Sequence, residues 1–171
     1  MIVRRELPQD RDSIHAVHTV AFDRSAGGPV AEAVLWDLLH AAGDVAAELS
    51  FVATVDGTVI GHAGCSDAAI DGRTVVALGP VGVLPAHQAR RVGSALVEAV
   101  LAAAEQRGEP MVVLLGDPRF YGRFGFELAA PLGVLPPDPT WAERFFQLRR
   151  LSAWDPALTG NFRYAAAFAA V

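Results

Sequence analysis

The order of apolar and polar residues predicts a short strand followed by two helices. IVRREL (residues 2–7) is typical of a strand. QDRDSIHAVHTVAFD predicts a helix that Asp10 caps, with an apolar face of Ile14, Val17 and Ala21. The residues AGGP then interrupt the pattern. We expect Pro29 at the first position of a second helix, which ends at Gly43 and has an apolar stripe of Val34, Leu35, Leu38 and Leu39.

From residue 48 onwards the pattern is that of strands. Asp56-Gly57 and Asp71-Gly72 separate three apolar runs, and such pairs are the strongest short signal for a hairpin. They predict an antiparallel meander that ends in RTVVALGPVGVLP. A helix from about Val92 to Gln106 and the continuous apolar run MVVLLG follow. These segments predict a βαβ unit, in which residues 75–84 and 111–115 run parallel with a right-handed connection.

The last third of the chain completes the predicted sheet. DPRFYGRFGF predicts a short helix with Asp117 as its cap, and AERFFQLRRL predicts another strand. The fold class is therefore α+β, with a mixed, mostly antiparallel central sheet and one parallel βαβ unit. A length of 171 residues fits one domain that spans residues 1–171.

Composition excludes several classes of function. The chain is 52% hydrophobic and 19% charged, which is typical of a globular protein, and a pI near 5.4 argues against nucleic acid as a partner. It has no apolar run of membrane-spanning length, so we expect no membrane partner. MIVRRELPQD reads as a strand and not as a signal peptide. Cys65 is the only cysteine, which fits a reducing compartment and a cytoplasmic location. Homodimerisation stays open.

A Gly-Pro pair inside a predicted central strand is unusual, because proline cannot donate to the ladder. We expect a β-bulge at Gly79-Pro80, beyond which the strand diverges from its parallel neighbour. Val81, Gly82 and Val83 would then keep free backbone groups, with which a linear ligand carrying amides could pair. The alternative is that the strand simply ends at Gly79.

The segment from Gln88 to Ser94 joins this strand to the helix and contains two adjacent arginines. Arginines at a helix N-terminus add like charge to its dipole, which is unfavourable unless an anion binds there. Successive backbone N–H groups could hold a diphosphate, and Gly93 allows a close approach; the alternative is that the arginines are simply solvated. An amide chain joined to a diphosphate is the shape of coenzyme A. The residues of the predicted diphosphate site are Gln88, Ala89, Arg90, Arg91, Val92, Gly93 and Ser94.

Two blocks, LGPVGVLPAHQARRVGSAL (78–96) and LLGDPRFYGRFGFE (114–127), resemble the GCN5-related N-acetyltransferase superfamily, and most closely a bacterial group of predicted acetyltransferases. The resemblance implies a V-shaped splay between the two parallel strands and acetyl-CoA as co-substrate. It also implies that Val81–Val83 bind the pantetheine arm and that residues 88–94 bind the diphosphate. Tyr121 matches the general-acid tyrosine of the family; the alternative is a core tyrosine whose hydroxyl bonds a carbonyl. No metal is implied, and the histidines show no metal-ligand spacing.

The chain departs from the family pattern at two places. Arg91 stands where the diphosphate motif has its first glycine, and Leu114 stands where the wider superfamily often has asparagine. No carboxylate lies on the splayed strand to act as base. The weaker base candidates are His62, Asp67, Glu32 and His87, and Trp141 and Trp154 are candidates for lining an acceptor pocket.

The resemblance implies acetyl transfer from acetyl-CoA to a primary amine of a small molecule or peptide, by direct attack in a ternary complex. A backbone N–H near Val81 would stabilise the oxyanion. Two alternatives stay open. One is a CoA-binding module without catalysis. The other is a nucleotide binder with a Rossmann-like βαβ unit, against which the missing G-x-G-x-x-G and the antiparallel first half argue.

Overall fold

The computed structural model describes residues 1–23, 28–141 and 143–171. The α-helices within them are α1 (Arg11–Phe22), α2 (Ala31–Ala42), α3 (Val92–Arg107) and α4 (Pro118–Tyr121). The strands are β1 (Ile2–Arg5), β2 (Val45–Val55), β3 (Thr58–Ile70), β4 (Arg73–Val83), β5 (Met111–Leu115), β6 (Glu127–Leu128), β7 (Val134–Leu135), β8 (Phe146–Arg150) and β9 (Gly160–Tyr164). None of the helices described is both long and apolar enough to cross a bilayer.

The strands form one mixed sheet in the order β1-β2-β3-β4-β5-β8-β6, and β9 pairs with β3 and β7. All neighbours along the main order are antiparallel except β4 and β5, which run parallel and are joined by α3. A further parallel contact, two residue pairs long, joins β7 to β9. The predicted fold class and parallel βαβ unit are therefore confirmed.

Helices cover both faces of the sheet. The apolar stripe of α3 packs against one face through Leu96, Val97 and Val100, which are fully buried. The other face carries α1 and α2, whose Ile14 and Trp36 are buried with Val52 of β2. A third buried cluster contains Met111, Phe146 and Phe162. The alternation of side chains along the strands thus supplies apolar surface to both faces of the sheet.

Both predicted hairpin turns are present. Asp56 and Gly57 have φ of 49° and 79°, and Asp71 and Gly72 have φ of 44° and 85°. Two consecutive left-handed residues define the turn type that matches the twist of the strands it joins, and they explain the Asp-Gly sequence. The predicted caps at Gly43 and Asp117 are also confirmed: Gly43 is left-handed, and Asp117 accepts a hydrogen bond from the Arg119 backbone N–H at 2.9 Å.

One predicted helix start is confirmed in position, and the other is wrong. Asp10 is the N-cap residue of α1, as predicted, but its carboxylate does not cap the helix, because it accepts hydrogen bonds from Arg4 at 2.6 and 2.9 Å and from the Leu7 N–H at 2.8 Å. Pro29 lies outside α2, since Val30 is the extended N-cap residue and the helix begins at Ala31. Ala26 and Gly27, the first half of the predicted AGGP interruption, lie outside the described residues.

The splay between β4 and β5 begins at a β-bulge. The two strands pair only at Val76–Val112 and Ala77–Val113. On its other side β4 pairs Leu78 with Cys65 and Val81 with Ala63, so Gly79 and Pro80 together oppose the single residue between these partners. The predicted bulge is confirmed. The alternative that the strand ends at Gly79 is wrong, because pairing with β3 continues to Val83.

Candidate active site

Beyond the bulge, the backbone of β4 faces alternately towards β3 and towards the gap opened by β5. Leu84 donates its N–H to the Ile60 carbonyl at 2.9 Å, and the Gly82 carbonyl also lies on the β3 side, close to Gly61. The backbone N–H and carbonyl groups of every second residue in a strand point to the same side. Because those of Gly82 and Leu84 point to β3, those of Val81 and Val83 point into the gap. The prediction that Gly82 also offers free backbone groups is wrong, because its carbonyl is directed towards β3 and not towards the gap.

One of the gap-facing groups is already used. The Gln88 side-chain amide donates a hydrogen bond to the Val83 carbonyl at 2.9 Å. This hydrogen bond ties the loop after β4 back to the strand that it leaves. The groups turned towards a ligand are therefore the N–H and carbonyl of Val81 and the N–H of Val83.

The loop between β4 and α3 bends through two left-handed residues. A single 3₁₀ turn (Pro85–His87) precedes Ala89 and Arg91, whose φ values are 58° and 63°. Left-handed Arg91 is followed directly by the right-handed helical residue Val92, and such a pair turns successive N–H groups to the same side, which forms an anion-binding concavity. Non-glycine residues adopt this conformation at a cost of about 1–2 kcal/mol. The strain at Arg91 explains why glycine is usual at its motif position.

The N-terminus of α3 is open to an anion. Arg91 is the N-cap residue, its side chain makes no capping hydrogen bond, and the first turn contains no acidic residue. The N–H groups of Val92, Gly93 and Ser94 therefore meet no side-chain acceptor in the described chain. A methyl group at Gly93 would lie 3.5 Å from Phe120 and 3.7 Å from Val83, which are ordinary contacts.

These parts enclose a cavity of about 520 Å³, called here the donor cavity. It is lined by most of the predicted site residues: Val81, Val83, Gln88, Ala89, Arg91, Val92, Gly93, Ser94 and Tyr121. Phe120 and Arg123 complete the lining, and sequence reasoning missed both as site residues. Gly82 and Arg90 lie outside it, so only one of the two adjacent arginines borders the space.

Tyr121 lies at the end of α4, with its ring packed edge-on against Phe120 and Phe126 at centroid distances of 4.9 and 5.7 Å. Burial raises the pKa of Tyr121 to about 12, so its hydroxyl stays protonated at any working pH. Within the described chain the hydroxyl has no hydrogen-bond partner. The described residues thus show no hydrogen bond from Tyr121 to a carbonyl, as the core-tyrosine alternative requires, and the catalytic role of Tyr121 stays a prediction.

A second cavity, of about 550 Å³ and called here the acceptor cavity, opens on the face of the sheet that carries α2. The bulge residues Gly79 and Pro80 and the β5 terminal residue Leu115 form the side nearest the gap. Of the two tryptophans predicted to line an acceptor pocket, Trp141 lines this cavity and Trp154 lies outside both cavities. The remaining walls come from Glu32 and Leu35 of α2, from Leu78 and Pro137, and from the segment 163–169.

The four candidate bases occupy very different places. Glu32 is half-buried and lines the acceptor cavity. Asp67 is exposed, and His87 is on the 3₁₀ turn after β4; both lie outside the two cavities. His62 is fully buried and hydrogen-bonded on both ring nitrogens. Of these four candidates, Glu32 is therefore the one whose side chain lines either cavity.

A buried hydrogen-bonded chain that sequence reasoning missed contains His62. His18 Nε2 lies 2.8 Å from His62 Nδ1, and His62 Nε2 lies 3.0 Å from the Ser50 hydroxyl, which donates to Glu6. Glu6 also contacts His40 Nε2 at 2.8 Å. Burial lowers the pKa of His18 and of His62. Burial alone would raise the pKa of Glu6, but hydrogen bonds with His62 and Ser50 lower it.

The donors in this chain have a consistent direction. Because Ser50 donates to Glu6, its oxygen accepts from His62, and His62 in turn accepts from His18. His18 Nδ1 is then a buried acceptor without a partner in the described chain, packed against Gly82 of β4.

No group of His, Cys, Asp and Glu residues among those described could hold a metal ion.

Comparison with known proteins identifies the family. Residues 14–126 match the acetyltransferase (GNAT) family. The chain belongs to the GNAT family. It is 35% identical over 163 residues to the N-acetyltransferase YhbS of Escherichia coli K12, a match that covers 94% of this chain and 92% of YhbS. The predicted family and enzyme class are confirmed, and the Rossmann-like interpretation is wrong.

Two solved GNAT structures share the whole architecture. Escherichia coli YhbS in complex with CoA superimposes with a TM-score of 0.88 at 32% identity, covering 98% of this chain and 91% of YhbS. A Brucella melitensis GNAT acetyltransferase in complex with acetyl-CoA superimposes with a TM-score of 0.80 at 34% identity, covering 98% and 97% of the two chains. The overall fold of this chain is thus the GNAT fold.

Proposed function

We propose that this N-acetyltransferase binds acetyl-CoA in the donor cavity and transfers its acetyl group to a primary amine that enters from the acceptor cavity. The proposal rests on the position of the splay between the two cavities. Val81 lines the donor cavity, and the preceding residue, Pro80, lines the acceptor cavity. Holding both reactants at this point supplies a large part of the rate enhancement, since attack becomes effectively intramolecular.

The donor cavity fits the two chemical parts of CoA. The amide groups of a pantetheine arm pair with the gap-facing backbone of Val81 and Val83, as an added strand would. A diphosphate suits the concavity of residues 88–94, where uncapped N–H groups and the helix dipole favour negative charge. The CoA and acetyl-CoA bound by the two solved relatives support this assignment.

The reaction needs no covalent enzyme intermediate. The amine lone pair forms a bond with the thioester carbonyl carbon, the carbon–sulfur bond breaks, and its electrons go to sulfur. The Val81 N–H, which faces the gap, is placed to stabilise the oxyanion. The amine also gives up a proton, and Glu32 is the candidate base because it lines the acceptor cavity.

The Tyr121 hydroxyl stabilises the departing sulfur by donating a hydrogen bond. A thiol has a pKa of about 8.5, well below that of the buried phenol, which burial raises to about 12. The phenol therefore holds its proton before the reaction and donates a hydrogen bond to sulfur as negative charge develops there. The pKa difference favours this hydrogen bond over complete transfer of the proton from Tyr121.

Substitution of Tyr121 tests the proposal. Tyr121→Phe keeps the ring contacts and removes only the hydroxyl that donates to the developing charge, so we expect kcat to fall by about 10²–10³-fold. The Kd for acetyl-CoA, measured by calorimetry, should stay within about twofold. A variant with parental kcat on an accepted amine would remove Tyr121 from the mechanism. A protein whose melting temperature does not rise with acetyl-CoA concentration would overturn the donor assignment itself.

A further inference from the structure

The two cavities are separated by little more than one backbone. Pro80 lines the acceptor cavity, and the next residue, Val81, lines the donor cavity. On the facing strand, Leu115 lines the acceptor cavity, and the following residue, Gly116, packs directly beneath the ring of Tyr121. A group bound in the acceptor cavity can therefore reach a thioester held beside Val81 and Tyr121.

The walls of the acceptor cavity are largely aromatic and aliphatic. The Tyr164 ring stacks on Phe168 with centroids 4.3 Å apart and lies 6.2 Å from Trp141. Leu115 is 46% exposed although it ends a strand whose other residues are buried, and its uncovered side chain faces this space. Such walls bind an aromatic or branched alkyl body and supply few hydrogen-bonding groups for a sugar.

Two charged side chains border the cavity, one of each sign. Glu32 is half-buried in the first turn of α2, and Arg163 is exposed on β9. Neither takes part in an ion pair within the described residues. One carboxylate matches one ammonium group, whereas the guanidinium of Arg163 repels a second positive charge. The charge pattern therefore favours a monocation over a polyamine.

The size of the cavity points to a small acceptor. About 550 Å³ lies within the range of pockets that enclose a small organic molecule. We propose that the acceptor is a primary amine with a single positive charge on an aromatic or branched alkyl body, and that Glu32 binds its ammonium group. This inference rests on the proposed function, because it takes the acceptor cavity as the entry path of the nucleophile.

The first experiment measures kcat/KM by thiol release for a graded set of amines. Ethylamine, butylamine, 3-methylbutylamine and 2-phenylethylamine extend the apolar body, while spermidine, glucosamine and a tripeptide test the excluded classes. Burial of each additional methylene should raise kcat/KM by about fourfold. The branched and aromatic amines should exceed every excluded class by at least about tenfold.

Variants then locate the effect within the cavity. Leu115→Gln should reduce kcat/KM for 2-phenylethylamine by about tenfold more than it reduces kcat/KM for ethylamine, since it removes part of the apolar wall and no charge. Leu128→Gln is its control, because Leu128 is 42% exposed and lies outside both cavities. Glu32→Gln should raise KM for 2-phenylethylamine by at least about tenfold. Asp37→Asn, an exposed change on the same helix, should not.

The outcomes separate the two proposals. If acetyl-CoA does not bind, the proposed function fails. If acetyl-CoA binds and no apolar amine is acetylated, or if the peptide or spermidine is preferred, the acceptor class is wrong while the donor site stands. If apolar amines are preferred but Glu32→Gln leaves every KM unchanged, the assignment of Glu32 is wrong.

Discussion

Arg90 and Arg91 allow a matched test of the donor cavity, because they are adjacent, exposed and equally charged. Only Arg91 lines the cavity. We expect Arg91→Ala to weaken acetyl-CoA binding and Arg90→Ala to leave it nearly unchanged. Both variants remove one positive charge from the same loop, so any difference between them reports a local interaction and not the net charge.

The expected magnitude is that of a hydrogen bond between the Arg91 guanidinium and a phosphate oxygen. A hydrogen bond to a charged group contributes about 1.5–3 kcal/mol, which corresponds to a roughly 10- to 150-fold rise in Kd when it is removed. Arg91 is exposed to solvent, so screening places the rise in Kd near the lower end at physiological salt, and the rise should grow as the salt is diluted. For Arg90→Ala we expect less than about threefold.

The backbone of Arg91 can be separated from its side chain by a third variant. Arg91→Gly and Arg91→Ala both remove the guanidinium, but only glycine relieves the left-handed φ of 63°. The glycine variant should therefore have the higher free energy of unfolding, by about 1 kcal/mol after allowing for the greater freedom of glycine in the unfolded chain. The Kd values of the two variants should agree within about twofold.

Calorimetry with acetyl-CoA at two salt concentrations and urea denaturation measure these quantities. If Arg91→Ala and Arg90→Ala bind acetyl-CoA equally well, Arg91 does not contact a phosphate. If Arg91→Gly binds as tightly as the parent protein while Arg91→Ala does not, the loop conformation and not the charge governs affinity.

Three further predictions concern the core. Burial raises the pKa of Cys65, so a thiol reagent should leave the native protein unmodified, and Cys65→Ala should retain kcat; rapid modification of the folded protein would contradict this. Burial lowers the pKa of His18 and of His62 in the folded protein. Below about pH 6.5 the unfolded chain therefore binds protons that the folded chain does not. We expect the free energy of unfolding to be maximal above about pH 7 and to fall as the pH drops below about 6.5. Urea melts that are flat from pH 8 to 5.5 would refute it. Asp10→Asn breaks the ion pair with Arg4 and should lower the free energy of unfolding by about 1–3 kcal/mol, with no change in the Kd for acetyl-CoA. A change in Kd without a decrease in stability would contradict the structural role of this pair.

Local signals account for what the sequence predicted correctly. The Asp-Gly turns, the bulge at Gly79-Pro80 and the βαβ unit each depend on a few neighbouring residues whose backbone preferences leave little choice. Asp10 is the N-cap residue of α1, as its position predicted, but its carboxylate makes no capping hydrogen bond because Arg4, on the preceding strand, binds it. The error at Gly82 was avoidable, since alternation along a strand assigns Val81 and Val83 to one edge and Gly82 to the other.

The acceptor cavity could not be read from the sequence as a unit. Its lining comes from α2, from β4, from the end of β5 and from the last part of the chain, which meet only after the sheet has formed. The buried chain from His18 to Glu6 has the same origin, because its members come from α1, β2, β3 and the segment after β1. Neither has a motif, since each member alone looks like an ordinary core or surface residue.

In the loop before α3, the backbone conformation that the family motif requires is kept, although the glycine of that motif is absent. The glycine of the family motif at this position supplies a backbone conformation, and here Arg91 adopts that conformation with a side chain attached, as does Ala89 nearby. Both residues store strain of about 1–2 kcal/mol that glycine would not. The packing of the loop between β4 and α3 must therefore hold both residues in this conformation against their own preference. Arg91 contributes in two separable ways, through a strained backbone that lowers stability and through a guanidinium that adds positive charge at the cavity wall.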